Sequence, residues 1–373
     1  MKSLYLTLLL CCVFVSAGCA ENSTAEQNKG RDVAIEVLSD FNEPWALDFL
    51  PDGRLLVTEK PGTLKLFSRA EQSSIDVTGV PEVSYGGQGG LGDITVDPDF
   101  ATNQRVYLSY VEPGDGVTGA AVASARLDIN SNSARLTDLR VLWRQSPKVT
   151  GQGHYGHRVV IGPQGYLWIS SGERQKFDPA QDMSGNLGKI VRLNRDGSIP
   201  QDNPFSGAAQ GVWSLGHRNP LGLAFDANEQ LWVVEMGPKG GDELNRVERG
   251  ADYGYPTVSN GDHYNGAVIP DHDTQPRFKA PAITWTPVIS PSSLMFYSGS
   301  EFPQWQGQAM ISGLSAKGIV RVEFDGVSAR EVGRIPLDAR IRSVAQGPDG
   351  ALWVLEDERR GSQGRLLRLT AAL

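Results

Sequence analysis

The 373-residue chain is long enough for one large domain or two ordinary ones, with ample core in either case. Its 43 glycines and 22 prolines mark a chain that turns often, which disfavours a helical or doubly wound architecture. With 35 basic against 43 acidic residues, a net charge of −8 and no block of like charge, it offers no electrostatic footprint for nucleic acid or an anionic membrane.

In chain order, residues 1–18 read as a leader. Lys2 supplies the positive end, Leu4 to Val15 is an apolar run short for a bilayer, and small residues follow in VSAGCAENS. The small pair before Cys19 resembles a bacterial lipoprotein cleavage box, which makes Cys19 the acylated first residue and puts the protein on the periplasmic side, tied to the membrane only through its lipid. Ser16 stands where Leu is commoner, so plain signal cleavage and a soluble periplasmic product is the alternative. Either cleavage removes Cys11 and Cys12 and leaves no cysteine pair for a disulfide. Residues 19–32 have the composition of a flexible tether, and 33–373 form the folded domain.

From there one supersecondary unit recurs: an alternating apolar strand, a turn of the Pro-Asp-Gly type, and a second strand rich in Trp or Tyr. Its six copies turn around Pro51, Asp97, Pro163, Asp226, Ser298 and Pro348, at uneven spacings of about 45 to 70 residues, the size of four-stranded blades with insertions. The runs GRLLV, GYLWI, QLWVV and GALWV are β-branched or aromatic and bounded by Gly, Asp and Pro, and no long stretch after the leader has a helical period. The expected fold is all-β, a six-bladed β-propeller of four-stranded antiparallel blades. The last unit ends one strand short at GRLLRLTAAL, so VAIEVLSD at the N-terminus is expected to close the final blade. Two β-sandwiches are the alternative, but they would not repeat one turn six times.

Propellers present ligands on the loops that join blades, so candidate residues are sought between the repeats. Gln88, in YGGQGGLGD before the second unit, sits among glycines that permit close backbone approach. His154 and His157 fall in GHYGHR before the third. An extended His-x-x-His points its ends to opposite faces, against a zinc pair, and leaves His154 as a general base or a plain polar loop residue. Before the fourth unit, Arg218 and Asn219 form a fork donor beside an amide, suited to a planar ligand rich in carboxylates and carbonyls, or to an ion pair between blades. In EMGPKGGDELN the Gly-Pro after a strand cannot continue a ladder, and the carbonyls of Gly237 and Pro238 would suit a hard cation such as calcium. Glu243 and Tyr253 are expected in a second loop, serving another ion or bonding the loop itself. Arg340 and Arg342, two apart in ARIRSV, share one strand face and repel unless an anion lies between them.

From about Pro44 to the C-terminus the chain resembles the soluble quinoprotein sugar dehydrogenases of the glucose/sorbosone and aldose sugar dehydrogenase family. The resemblance rests on GQGGLGDITVDPDF, HRVVIGP, LGHRNPLGLAFD, EMGPKGGDELN with DYGYP, and RIRSVAQGPDGALWV. It implies a six-bladed propeller that binds pyrroloquinoline quinone (PQQ) and calcium at the channel mouth. It implies His154 as the base, Gln88 as a polar contact, and Arg218, Asn219, Tyr264, Arg340 and Arg342 at quinone-binding positions. The Gly237 and Pro238 carbonyls match ligands of the calcium that touches the quinone, and Glu243 and Tyr253 a second, structural calcium. The implied reaction removes the anomeric hydroxyl proton of an aldose to His154 while hydride passes to the quinone, giving a lactone; an electron acceptor, unidentified, must then reoxidise the cofactor.

The chain departs from the family pattern at several pocket positions. Ser315 aligns with a usual Lys, with Lys317 two places on; Gly153 replaces an Asp, His157 a Gly, and Ser343 an Asp. A calcium-dependent lactonase would share the architecture but wants acidic side chains converging on one metal, and a non-catalytic propeller binding sugar or protein is the remaining alternative.

Overall fold

The computed structural model describes residues 33–372; the expected leader and tether, Cys19 included, lie outside them. Each repeat folds as a short meander. The Pro-Asp-Gly turn closes where Gly53, at φ +84°, donates its N–H to the Leu50 carbonyl at 2.9 Å and Asp52 Oδ1 accepts from Arg54 N at 3.0 Å. The last repeat uses the same device at Gly347–Gly350. Two copies differ: residues Phe100–Asn103 turn once as an α-helix between the first two strands of the second unit, and Pro303–Trp305 as a 3-10 turn between those of the fifth.

Within each unit the second strand is the most enclosed. Leu55–Glu59, Leu167–Ser171, Leu231–Glu235, Ala309–Gly313 and Leu352–Glu356 are buried at every position. Such strands are covered on both faces, which explains why their sequences are nearly continuous apolar runs. The strands assemble into four four-stranded sheets, an eight-stranded sheet and a two-stranded ribbon. The eight-stranded sheet is two antiparallel four-stranded runs joined by a short parallel pairing of Val77 and Thr78 with Ala134 and Arg135. The first strand of each unit touches the first strand of the next, and that of the last touches that of the first, so the inner strands close a ring. The apolar core lies between neighbouring units. Phe41, Leu47, Leu55, Val57 and Phe67 pack on Trp353, Leu355 and Leu366, with Phe49 edge-on to Trp353 at 5.2 Å. This is the arrangement of a β-propeller.

The ring is closed by the N-terminal strand. Val33–Asp40 pairs antiparallel with the C-terminal strand Arg365–Ala371, from Val33 opposite Ala371 to Asp40 opposite Arg365.

Register also fixes where the site is. Within each unit the start of the first strand lies opposite the end of the second: Pro44 with Glu59, Leu91 with Tyr110, Gly156 with Ser171, Pro220 with Glu235, Pro291 with Gly313 and Ile341 with Glu356. The loops entering the first strands and the residues just past the second strands therefore share one face of the ring.

Candidate functional site

That face holds two cavities of about 240 Å³ each. One, the channel cavity, is lined by residues including Gln88, His157, Ser315, Arg340 and Arg342. The other, an outer pocket, is lined by residues including His154, Glu173, Arg218, Pro238, Tyr255 and Tyr264.

His154 is held rigidly. Its backbone N–H donates to Gln88 Oε1 at 2.8 Å and its carbonyl accepts from Arg174 N at 3.1 Å. Arg174, stacked over Tyr155 at 3.8 Å, ties the same loop through the Gly151, Gly153 and Thr118 carbonyls. Gln88 thus spends its carbonyl oxygen on positioning His154. Nδ1 of His154 lies 2.5 Å from Glu173 Oε1, while Glu173 Oε2 accepts the Lys176 and Phe177 N–H groups at 2.5 and 2.8 Å. Burial pushes the His154 pKa down, the Glu173 bond opposes this and the Arg218 charge reinforces it, leaving it below the ordinary value. Burial alone would raise Glu173, but the bonds from His154 and Phe177 hold it below the usual carboxylate range. An ionised Glu173 can only accept, so Nδ1 carries the proton and Nε2 keeps its lone pair. Nε2 has no protein partner among the described residues. The pair is a neutral base oriented by a carboxylate.

Arg218 spans the space between His154 and the fourth unit. Nη1 donates to the Met236 and Gly237 carbonyls at 2.8 and 2.7 Å, and the guanidinium lies 5.8 and 5.9 Å from the Tyr255 and Tyr264 rings. Its Nε, and both amide atoms of Asn219, are buried without a partner. Unpaired buried donors and acceptors cost free energy, so their clustering marks groups kept for a ligand. The Gly237 carbonyl already accepts from Arg218, which leaves one lone pair for an ion. Tyr264 is 74 % exposed at the rim of the outer pocket.

Beneath Arg218 lies an ion-sized cavity of about 10 Å³ lined by Glu235, Glu243, Gly237, Tyr253 and neighbours. Glu243 lies in the strand Asp242–Arg246, not in the loop the sequence suggested, because the Gly-Pro-Lys-Gly-Gly segment folds back on itself as a two-residue ribbon with Gly261–Asp262 before the ladder resumes. Burial and the nearby Glu235 charge push the Glu243 carboxyl well up, and burial raises Asp242 to about 6. The Tyr253 side chain is committed, accepting from Glu248 N and donating to the Arg246 carbonyl. Its own carbonyl accepts from His272 Nε2 at 3.0 Å. No group of three or more His, Cys, Asp or Glu side chains among the described residues is placed to hold a metal, so an ion here would draw on carbonyls.

The anion between Arg340 and Arg342 is the protein's own. Asp357 accepts from Arg340 Nε at 2.8 Å and from Arg342 Nη2 at 2.7 Å. Ser315 lines the channel cavity, its hydroxyl 2.5 Å from Ser290 Oγ. Lys317 does not join it: at φ +52° in the hairpin turn it is exposed and lines neither cavity. His154 and His157 do face different spaces, but through left-handed backbone at φ 50° and 56° rather than through extended alternation.

Glu173, Asp357 and Lys60 escaped the sequence reading. All sit one or two residues past a second strand, in TEK, SSGE and LED, the positions that the antiparallel register brings opposite the loops searched.

A family model described as Glucose / Sorbosone dehydrogenase matches residues 41–368. The chain is 41% identical over 349 residues to aldose sugar dehydrogenase YliI of Escherichia coli (strain K12), covering 91% of this chain and 93% of that protein. The crystal structure of the soluble aldose sugar dehydrogenase from Escherichia coli in its apo-form matches with a TM-score of 0.86 at 40% identity, over 91% of this chain and 100% of that one. A PQQ-bound aldose sugar dehydrogenase from Streptomyces coelicolor matches with a TM-score of 0.75 at 27% identity, over 91% and 98% of the two chains.

Proposed function

The chain belongs to the glucose/sorbosone dehydrogenase family, and on that premise we propose that it is a PQQ- and calcium-dependent aldose dehydrogenase that oxidises the C1 hydroxyl of a sugar to a lactone. The observation that carries the reading is His154, neutral and oriented by Glu173, opening into a pocket also lined by Arg218, whose buried Nε is unpaired.

The residues present fit the group. The orphaned Arg218 Nε and Asn219 amide offer donors and an acceptor to a planar, carbonyl-rich ligand, and Arg340 and Arg342 offer guanidiniums to its carboxylates. Bound there, the quinone supplies a two-electron acceptor for the C1 hydrogen. The protein's part is proton and charge management. His154 Nε2 takes the hydroxyl proton as the C1 hydrogen leaves, and Glu173 stabilises the imidazolium that forms at 2.5 Å. The Arg218 guanidinium, fixed on two carbonyls, needs no reorganisation to stabilise negative charge developing beside it. Calcium would be held by the Gly237 and Pro238 carbonyls, and a second ion by Glu243 and the Tyr253 carbonyl, where it would relieve the repulsion between Glu235 and Glu243.

Taking each four-stranded run as one blade gives a propeller of six, with residues 33–373 as one catalytic domain. We propose that the leader-like composition of residues 1–18 carries that domain to the periplasmic side, lipid-anchored through Cys19 or, by plain signal cleavage, soluble, within reach of a respiratory electron acceptor.

Reconstitution tests the function. Purified protein given PQQ and Ca²⁺ is expected to reduce an artificial dye with aldoses and to retain quinone absorbance after desalting; no reduction and no retained quinone would refute it. His154→Ala is expected to lose about 10²- to 10⁴-fold in kcat with quinone still bound.

A further inference from the structure

Two buried side chains of the channel cavity each keep one N–H without a protein acceptor among the described residues, and the mechanism above uses neither. Lys60 is 3% exposed, and its ammonium donates to Glu43 Oε2 at 2.9 Å and to the Gly87 carbonyl at 3.1 Å, two bonds for three protons. His157 is 2% exposed and stacked on Trp45 with ring centroids 5.0 Å apart. Gly92 makes room for it, since a Cβ there would lie 2.0 Å from His157 Cε1. Its Nδ1 is 2.8 Å from Ser109 Oγ, which itself accepts the Asp93 N–H at 2.7 Å. The Ser109 hydroxyl has no other acceptor among the described residues, so its proton goes to Nδ1 and the imidazole proton sits on Nε2. Burial, with Arg158 and other cations nearby, pushes the ring's pKa down to about 3, so it stays a neutral donor. Nε2 has no partner among the described residues and is not sealed from the cavity.

The cavity these donors line is strongly positive. Lys60, Arg340, Arg342, Arg359 and Arg360 all contribute to its wall. Glu43 pairs with Lys60 and Arg359, and Asp357 with Arg340 and Arg342, so cations remain in excess. Lys317, the nearest candidate to replace the family lysine missing at Ser315, points elsewhere, whereas Lys60 reaches the same cavity as Ser315 from the first blade.

We propose that Lys60 and His157, from the first and third repeats, form a carboxylate subsite of the channel cavity that holds one carboxylate of the acidic quinone. The subsite rests on the quinone reading of the pocket. An ammonium and a neutral N–H donor suit a carboxylate, the first through charge and the second through direction.

Titration of PQQ into the full-length calcium-loaded protein, followed by tryptophan quenching and checked by equilibrium dialysis, tests it. Lys60→Gln and His157→Gly are each expected to weaken the Kd about tenfold, the former through a lost charge-assisted bond. Lys60→Arg is expected to stay within about threefold of wild type, because the charge is kept. The trimethyl ester of the quinone, which lacks the carboxylates, is expected to bind wild type and variants alike. Wild type binding PQQ with both Lys60→Gln and His157→Gly within twofold of it would overturn the subsite alone. A wild-type protein with no saturable PQQ binding would overturn the quinone reading and the subsite with it.

Discussion

Replacing Glu173 by Gln asks the most of the proposed base. Glu173 uses one oxygen on His154 Nδ1 at 2.5 Å and the other on two backbone N–H groups. The glutamine amide cannot serve both, since its NH₂ must face either two donors or Nδ1. Facing two donors is the worse choice, so the NH₂ turns to Nδ1, which must then accept, and the ring proton moves to Nε2, where the substrate proton has to go. The same change removes the charge opposite the imidazolium. A proton arriving at Nε2 puts positive charge about 4 Å from the carboxylate, worth ~4 kcal/mol at an effective dielectric of about 20. The amide dipole recovers part of this, leaving a loss of about 3 kcal/mol, or roughly 10²-fold in kcat. Steady-state dye reduction with saturating aldose and bound quinone measures it, and ¹⁵N shifts of the His154 ring report the tautomer independently. A kcat within threefold of wild type, or a ring proton that stays on Nδ1, would refute the reasoning.

Other outcomes follow from the same geometry. Because His154 must be neutral and its pKa is held below the ordinary imidazole value, the acid limb of kcat is expected to be centred below the ordinary imidazole pKa of about 6.5; a limb centred at or above that value would contradict this. Asp357→Asn leaves Arg340 and Arg342 side by side without their counter-charge, a loss of about 3 kcal/mol that differential scanning calorimetry would register as a lowered Tm. Burial alone would raise the Asp357 pKa, but Arg342 and Arg340 depress it from 3.8 to about 2, so it contributes on the order of 2 kcal/mol above pH about 4 that is lost as pH falls toward 2. Calcium at Glu243 must displace a proton, because burial and the Glu235 charge push that carboxyl up, so the calcium-induced rise in Tm is expected to grow as pH is raised in wild type and to lose that pH dependence in Glu243→Gln, checked by differential scanning calorimetry with and without calcium.

The sequence shows the repeats plainly, because most first turns carry a Pro-Asp-Gly or similar signal and four of the six second strands open on Leu-Trp or Leu-Leu. The closing strand was legible from a missing partner: GRLLRLTAAL ends a unit short, and Val33–Asp40 fills it. His154, Arg218, Arg340 and Arg342 were found because loops that enter the inner strands converge on one face, and Ser315 through the family resemblance. Their counterparts Glu173, Asp357 and Lys60 were hidden for a physical reason. They are encoded beyond second strands, in segments that look like ordinary hairpin ends, and only the antiparallel register brings them across. Lys317 shows the converse: two residues past Ser315 in the chain, it is carried to the outside by one left-handed turn residue, a rotation that spacing does not reveal.

The pairing of Val33–Asp40 with Arg365–Ala371 joins the two ends of the folded domain. Until these two strands meet, the edge of Arg365–Ala371 that Val33–Asp40 covers stays unpaired. Once the ring is shut, no repeat can leave without breaking contacts with both neighbours. Residue 33 follows directly on the expected tether, so a force applied through a lipid anchor would load this seam first. In antiparallel register its ladder is peeled or sheared according to the angle of pull. The lifetime of the protein under tension is therefore written in seven backbone pairings rather than in its core.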